Sequence, residues 1–240
     1  MQSEGNGQSE RQHETDTPEP PGKRVSLSHG HGGVLTQKPA KATPGRSLLP
    51  YVSLTIGHSG CMPIELRPLE RSDLPLLAHW LSRPHVQKWW REPADPESVE
   101  AEYGPMIDGA DPTDGFIVLS EGQPIGFMQR YLLADDPDWQ RTVAVGIGSV
   151  PAAGIDYLLG DENATGRGLG PQMIAALVAD CWTTHPHIQA VVVDVLQENR
   201  ASWRALEHAG FDRVWQGTLD SDHPSDQGPS YLYLISRPSS

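Results

Sequence analysis

Residues 154–170 read Gly-Ile-Asp-Tyr-Leu-Leu-Gly-Asp-Glu-Asn-Ala-Thr-Gly-Arg-Gly-Leu-Gly, and this stretch decides the fold. Its first half has the alternation that is typical of a β-strand, carried by Ile155, Tyr157 and Leu159. Its second half is a glycine-rich turn, residues 166–170. The stretch therefore predicts a strand that runs directly into a glycine turn.

An apolar helix is expected after the turn. Pro171 occupies a plausible first helical position, and apolar residues at helical spacing continue to about Thr184. A strand, a glycine turn and a helix in this order direct several backbone N–H groups and a helix N-terminus toward one point. Such a point is a site for phosphate.

Composition limits the classes of protein that the chain can be. Hydrophobic residues make up 37% of 240 residues, which is low for a fully globular chain. No stretch approaches the ~20 apolar residues that span a membrane, and no N-terminal apolar core follows a basic start, so we expect a cytoplasmic protein without a membrane partner. Cys61 and Cys181 indicate neither a disulfide framework nor a zinc site. The net charge of −13 argues against nucleic acid and favours cationic substrates.

The chain divides into two parts. Residues 1–61 are predicted to be a disordered leader, because they are polar and lack an apolar period. His29 and His31 could bind a metal ion, but a polar tail is the favoured interpretation because no further ligand cluster is near, and no metal is expected. The folded domain is predicted at 62–240, and Met62 is a candidate for the true start.

The domain is predicted to be a mixed α/β fold of about 175 residues, which is enough for a sizeable core. The expected elements are a strand at 64–69, a helix capped by Ser72, Trp89 and Trp90 in a loop or short helix, a helix at 96–107, a hairpin of strands at 115–120 and 123–133, an acidic loop at 135–138, irregular chain at 140–153, the central stretch, a strand at 190–195, a helix at 199–209 capped by Gly210, and closing strands at 211–219 and 230–235.

Several segments carry a resemblance to a known family. They are Trp80-Leu81-Ser82-Arg83-Pro84-His85-Val86-Gln87-Lys88-Trp89-Trp90, Pro124-Ile125-Gly126-Phe127-Met128-Gln129-Arg130-Tyr131, Gly154-Ile155-Asp156-Tyr157-Leu158-Leu159, Gly166-Arg167-Gly168-Leu169-Gly170, and Asn199 through Ala209-Gly210-Phe211. In this order and spacing they resemble the GNAT family of acyl-CoA N-acyltransferases, and within it the aminoglycoside 6′-N-acetyltransferases, over about residues 64–236. The resemblance implies the GNAT fold, a central mixed sheet flanked by helices.

The resemblance also implies how acetyl-CoA binds. The glycine turn should cradle its pyrophosphate, and the strands that end near Leu158 and Asp194 should diverge to admit the pantetheine arm. Thr165 stands where the wider family often has Arg or Gln. A dinucleotide-binding turn is the rival interpretation, but Met173 stands where its third glycine should be. The implied acetyl-CoA residues are Leu158, Thr165, Gly166, Arg167, Gly168, Leu169, Gly170 and Asn199.

The chemistry requires a proton acceptor, because an ammonium must lose a proton before its nitrogen attacks a thioester. Asp156 is the only carboxylate in an otherwise apolar strand segment next to the turn, and the resemblance implies that it is the general base. The alternative is that Asp156 faces solvent. A backbone N–H near Leu158 or Leu159 would meet the oxyanion.

The leaving thiolate poses a separate question. GNAT enzymes often place a tyrosine as its proton donor where this chain has Leu206. A thiol has a pKa near 8.5, so the thiolate is a fair leaving group. Either catalysis dispenses with the acid, or Tyr157 or water replaces it.

Three functions stay open at this stage. An aminoglycoside carries several ammonium groups, so its cleft needs dispersed carboxylates; acetylation of its 6′ amine would confer antibiotic resistance. The second function is acylation of another amine, a siderophore hydroxylysine or a protein N-terminus. The third is a non-catalytic acyl-CoA-binding domain. A monomer and a homodimer are both open.

For the first function the resemblance implies a set of substrate contacts. Each of these residues alone would be interpreted as a surface acid or a packing aromatic. They are Trp89, Trp90, Tyr103, Gln129, Asp136, Asp138, Asp156, Asp194 and Asp226.

Overall fold

The computed structural model describes residues 64–221 and 226–239. Its strands are β1 (Ile64–Pro68), β2 (Asp114–Ser120), β3 (Gln123–Leu132), β4 (Ala152–Leu159), β5 (Ala190–Leu196), β6 (Asp212–Thr218) and β7 (Pro229–Ser236). Its helices are α1 (Leu74–Leu81), α2 (Pro84–Trp90), α3 (Pro96–Asp108), α4 (Pro137–Ile147), α5 (Leu169–Thr184) and α6 (Arg200–His208). The predicted fold class, a mixed sheet with flanking helices, is confirmed. The predictions for residues 1–61, including His29 and His31, and for Met62 fall outside the described residues.

One seven-stranded sheet has the order β1-β2-β3-β4-β5-β7-β6. Neighbouring strands are antiparallel except β4 and β5, which are parallel and pair only through Ala152–Gly154 and Ala190–Val192. Beyond those residues β4 runs on to Leu159 and β5 to Leu196 without pairing with each other. The predicted divergence of these two strands is therefore confirmed, and it opens the middle of the sheet.

The two faces of the sheet are covered differently. Helices α5 and α6 pack on one face, where Ile155, Val191 and Val193 join the core. On the other face, helices α1 to α3 cover the half that contains Phe127. Helix α4 covers the other half of that face, where Val192 lies. The second face therefore has two separate helical covers, with β4 and β5 passing between them.

Local signals explain most of the elements. Glu121 and Gly122 both have positive φ, 54° and 74°, as the tight turn of the predicted hairpin requires. Helix α6 ends in a Schellman motif, in which the N–H of Phe211 donates to the Leu206 carbonyl at 3.0 Å and the N–H of Gly210 to the Glu207 carbonyl at 3.1 Å. Gly210 has φ 91°, so its predicted capping role is confirmed.

The prediction of an acidic loop followed by irregular chain at 140–153 is wrong. This segment contains helix α4, whose N-cap is Asp136 and which Gly148 follows. Its buried residues Trp139, Val143 and Ile147 recur every four positions, which is a helical period. The glycines and alanines around them obscured that period in the sequence.

Two helix starts also differ from the predictions. Ser72 is not an N-cap, because a 3₁₀ turn at Arg71–Asp73 precedes α1 and Asp73 is the N-cap. The Asp73 carboxylate accepts the backbone N–H of Glu70 at 2.9 Å. Helix α5 begins at Leu169 rather than at Pro171, which instead lies within the first turn, where a residue without an N–H is tolerated.

Candidate active site

A cleft lies where β4 and β5 diverge. It is bounded by the ends of those strands, by α2 and α4 above the sheet, and by α6 on the far side. Because the strands do not pair here, groups from both faces of the sheet reach the same space. The lining residues are Trp89, Trp90, Trp139, Ile155, Asp156, Tyr157, Val193, Asp194, Val195, Leu196, Ser202 and Asp226.

Asp156 lies on β4 opposite Gln129 of β3. The Gln129 side-chain amide donates to the Asp156 carboxylate at 2.9 Å. Gln129 has no exposed surface, and its Oε1 accepts no hydrogen bond from any described residue. Gln129, a predicted substrate contact, is thus a buried support beneath the carboxylate, and it does not line the cleft.

Three carboxylates converge around one buried phenol. Burial raises the pKa of Tyr131 well above its usual range, and the negative charges of Asp156, Asp194 and Asp226 raise it further. All three acids line the cleft, so the space is strongly negative and attracts cations. Ser221 donates to Asp226 at 2.5 Å, which orients that carboxylate.

Three tryptophans form the apolar walls. Trp89 and Trp90 come from the C-terminal end of α2, which confirms a short helix rather than a loop at this point. Trp139 comes from the first turn of α4. Trp139 was absent from the predicted set, and the four-residue period of α4 was the signal that could have found it.

Tyr103 lies behind this wall. It is 1% exposed, its ring packs edge-on against Phe127 at 5.4 Å, and its hydroxyl donates to Glu92 at 2.6 Å and accepts from Trp90 Nε1 at 3.2 Å. Tyr103 therefore supports Trp90 from behind. It was predicted to contact the substrate, but it does not line the cleft.

The acids of the predicted acidic loop are also placed outside the cleft. Asp136 is 5% exposed, and its carboxylate accepts the N–H groups of Asp138 at 2.9 Å and Trp139 at 2.8 Å as the N-cap of α4. Asp138 pairs with Arg141 and borders a separate groove between α4 and β6. The structure thus assigns both carboxylates to the start of a helix.

The glycine turn leads into α5 at the end of β4. Gly166 and Gly168 have φ of 71° and 75°, a region that favours glycine, and the space beside each is open. Both glycines and Arg167 are exposed, and Leu169, buried, anchors the first turn of the 16-residue helix. Exposed backbone donors at a helix N-terminus fit the pyrophosphate of acetyl-CoA.

The other predicted acetyl-CoA residues have mixed surroundings. Thr165 donates its hydroxyl to the Glu162 carbonyl at 2.7 Å, and Leu158 is buried in the core beneath α1 to α3. A side chain at Gly170 would meet Ala205 of α6 at 3.4 Å, so glycine allows α5 and α6 to approach. Asn199 caps α6, with its side chain accepting the N–H of Ser202 at 3.2 Å.

Tyr157 extends from β4 toward α6. Its hydroxyl lies 2.7 Å from the Ser202 hydroxyl, and both side chains line the cleft. Burial raises the pKa of Tyr157, the Ser202 hydrogen bond opposes that shift, and the charges of Asp156 and Asp194 add to it. Leu206, one helical turn beyond Ser202, has no exposed surface.

Comparison with known proteins identifies the family. The model of the acetyltransferase (GNAT) domain matches residues 70–219. The chain belongs to the GNAT acetyltransferase family. As a GNAT protein it is an acetyl-CoA-dependent N-acetyltransferase.

Two curated relatives differ in the amines that their names indicate. This GNAT domain is 32% identical over 177 residues to aminoglycoside N(6′)-acetyltransferase type 1 of Klebsiella pneumoniae. The alignment covers 72% of this chain and 82% of the relative. It is 25% identical over 176 residues to the lysine N-acyltransferase MbtK of Mycobacterium sp. (strain MCS), covering 73% of this chain and 68% of that relative.

A solved structure supports the same grouping. The aminoglycoside acetyltransferase AAC(6′)-Ib in complex with coenzyme A and kanamycin is similar to this chain, with a TM-score of 0.61 and 28% identity. The alignment covers 72% of this chain and 95% of that chain.

Within residues 64–221 and 226–239, no group of His, Cys, Asp and Glu is arranged to hold a metal ion. No helix in the same residues is long and apolar enough to cross a membrane.

Proposed function

We propose that this enzyme acetylates the 6′ amine of aminoglycoside antibiotics. The observation that carries the proposal is the convergence of Asp156, Asp194 and Asp226 on one cleft with tryptophan walls. Dispersed carboxylates suit a substrate with several ammonium groups, and flat indole faces suit its sugar rings. A relative that is 32% identical is named for this activity.

The proposed chemistry assigns each group one task. Acetyl-CoA supplies a thioester carbonyl at the opening between β4 and β5. Asp156 accepts the proton of the reacting ammonium, directly or through water, so that the nitrogen has a lone pair for attack. Gln129 holds that carboxylate in one orientation by the 2.9 Å hydrogen bond. Backbone N–H groups near Leu158 and Leu159 are candidate donors to the acetyl oxygen.

The glycine turn is the proposed binding site for the other end of the co-substrate. Residues 166–170 offer backbone donors at the start of α5, and Arg167 adds positive charge in an otherwise acidic protein. Asp194 and Asp226 bind the ammonium groups that do not react. On this assignment the two substrates approach from opposite faces of the sheet and meet at the divergence of β4 and β5.

Lysine acylation is the second candidate, and the match to MbtK favours it. A lysine side chain carries a single ammonium group, so it offers a cation to only one of the three cleft carboxylates. The three carboxylates therefore favour the polycationic substrate over the lysine-type one.

The test is thiol release from acetyl-CoA with kanamycin, tobramycin, amikacin and gentamicin offered singly, with lysine and a short peptide as controls. Release with drugs that bear a free 6′ amine, and none with the controls, is expected. NMR of the product then locates the acetyl group. Release with lysine or the peptide alone would replace the proposal with the second candidate.

A further inference from the structure

Helix α6 has a leucine, Leu206, where it faces the core below the cleft. Ser202 and Leu206 are four residues apart and so lie on one face of the helix. Leu206 is fully buried among the apolar residues between α5, α6 and the sheet. A leucine side chain neither donates nor accepts a hydrogen bond, so position 206 offers nothing to a leaving group.

Strand β4 supplies a hydroxyl at this place. The Tyr157 hydroxyl is 2.7 Å from the Ser202 hydroxyl, one turn of α6 before Leu206. Asp156 and Tyr157 are consecutive on a strand and point to opposite faces, yet both line the cleft because β4 and β5 diverge. A reacting centre between the strands therefore has the carboxylate on one side and the phenol on the other.

The environment keeps this phenol protonated. Burial raises the pKa of Tyr157 above its usual range, and nearby carboxylates raise it further. At neutral pH the hydroxyl is therefore a hydrogen-bond donor and not a phenolate. The Ser202 hydroxyl can donate to the Tyr157 oxygen while the phenol proton points into the cleft.

We propose that Tyr157 is the catalytic hydrogen-bond donor to the departing thiolate and that Ser202 positions its hydroxyl. The inference rests on acetyl transfer in this cleft, whichever amine is the acceptor. As the C–N bond forms, the C–S bond breaks and its electron pair stays on sulfur. The Tyr157 hydroxyl keeps its proton and donates a hydrogen bond to the sulfur as negative charge develops there. The reacting ammonium loses two protons overall; one equals the proton that the thiolate takes up from solvent, and the other stays in solvent.

The test is the variant Tyr157→Phe, which keeps the ring and removes the hydroxyl. We expect kcat with acetyl-CoA to fall about 100-fold, as for loss of one hydrogen-bond donor to a developing anion, with an unchanged acetyl-CoA dissociation constant. In Ser202→Ala, which leaves the phenol in place, kcat should fall about 10-fold. Tyr231→Phe is the matched control, because Tyr231 packs against Trp203 outside the cleft.

Leaving-group dependence separates chemistry from structure. The acetyl thioester of 4-nitrothiophenol releases a thiolate that is stable without a hydrogen-bond donor, so kcat/KM of Tyr157→Phe with this donor should approach that of the parent enzyme. Equal losses with both donors, or unchanged kcat with acetyl-CoA, would overturn the assignment. Ser202→Ala at parental turnover would overturn the role of Ser202. Failure of this inference can be distinguished from failure of the aminoglycoside proposal. If the aminoglycoside proposal fails, the parent enzyme releases thiol only with another amine, and the Tyr157 and Ser202 variants are then measured with that amine.

Discussion

Gln129 and Asp156 face each other across the β3–β4 pair, and the buried amide of Gln129 donates to the Asp156 carboxylate at 2.9 Å. The two residues are far apart in sequence, yet the antiparallel register fixes their contact. A carboxylate held by a residue with no exposed surface has few alternative orientations, which is what a base at a reaction centre requires.

Asp156→Asn should remove the proposed base. We expect turnover to fall by about 100-fold or more, while the acetyl-CoA dissociation constant changes little, because the proposed contacts with the pyrophosphate come from the backbone of residues 166–170. Steady-state kinetics and calorimetry measure the two quantities. Asp212→Asn, the same change at an exposed site on β6, is the control. Parental turnover in Asp156→Asn would reject the assignment.

Gln129→Met keeps the side-chain length and removes the hydrogen bond to Asp156. We expect a fall in kcat of about 10-fold, because the carboxylate loses the hydrogen bond that orients it. Steady-state kinetics check this, with the acetyl-CoA dissociation constant measured alongside. Parental kcat would mean that Gln129 contributes packing alone.

Asp194→Asn and Asp226→Asn should weaken binding of a polycationic substrate. Each loses one charge from the cleft, so we expect KM for kanamycin to rise about 10-fold, the equivalent of about 1.4 kcal/mol. Turnover at saturation should change less than in Asp156→Asn. The effect should shrink as salt is added, because screening weakens charge–charge attraction. A KM that is unchanged in both variants would contradict the proposed role of these acids.

Arg130→Met tests a buried ion-pair network beneath α5. Arg130 is 3% exposed and pairs with Asp114 of β2 and Asp180 of α5. Removing it strands two partly buried carboxylates, so we expect the free energy of unfolding to fall by about 3 kcal/mol, as measured in urea. The control is Arg141→Met, whose ion pair with Asp138 is exposed and should cost at most about 1 kcal/mol. Equal losses in both variants would contradict the network.

Cys181 should resist thiol reagents in the folded protein. Burial raises its pKa to about 12, so at pH 8 roughly one thiol in 10,000 is the reactive thiolate. In a Cys61→Ser background, Ellman's reagent should detect no thiol until denaturant is added. The folded protein should become reactive only as the pH rises toward that pKa. Complete reaction within minutes at pH 8 without denaturant would contradict the burial of Cys181.

Local sequence determined much of this fold. The alternation in β4, the positive-φ glycines of the turn and the apolar run of α5 are short-range signals, and the helix and strand types that they predicted are correct. The same holds for Gly210, because a helix end needs a residue that tolerates positive φ. These features follow from backbone sterics and from periods that lie within a few residues.

Only the tertiary structure decided which acids and aromatics share the cleft. Asp136 resembled a substrate contact in sequence but caps α4, and Tyr103 packs behind Trp90, because capping and burial depend on neighbours that are distant along the chain. Asp156 and Asp194 line the same cleft because pairing of β4 with β5 ends at Gly154 and Val192. The end of that ladder is a property of the whole sheet and its helical covers, so the residue types were readable from the sequence while their convergence was not.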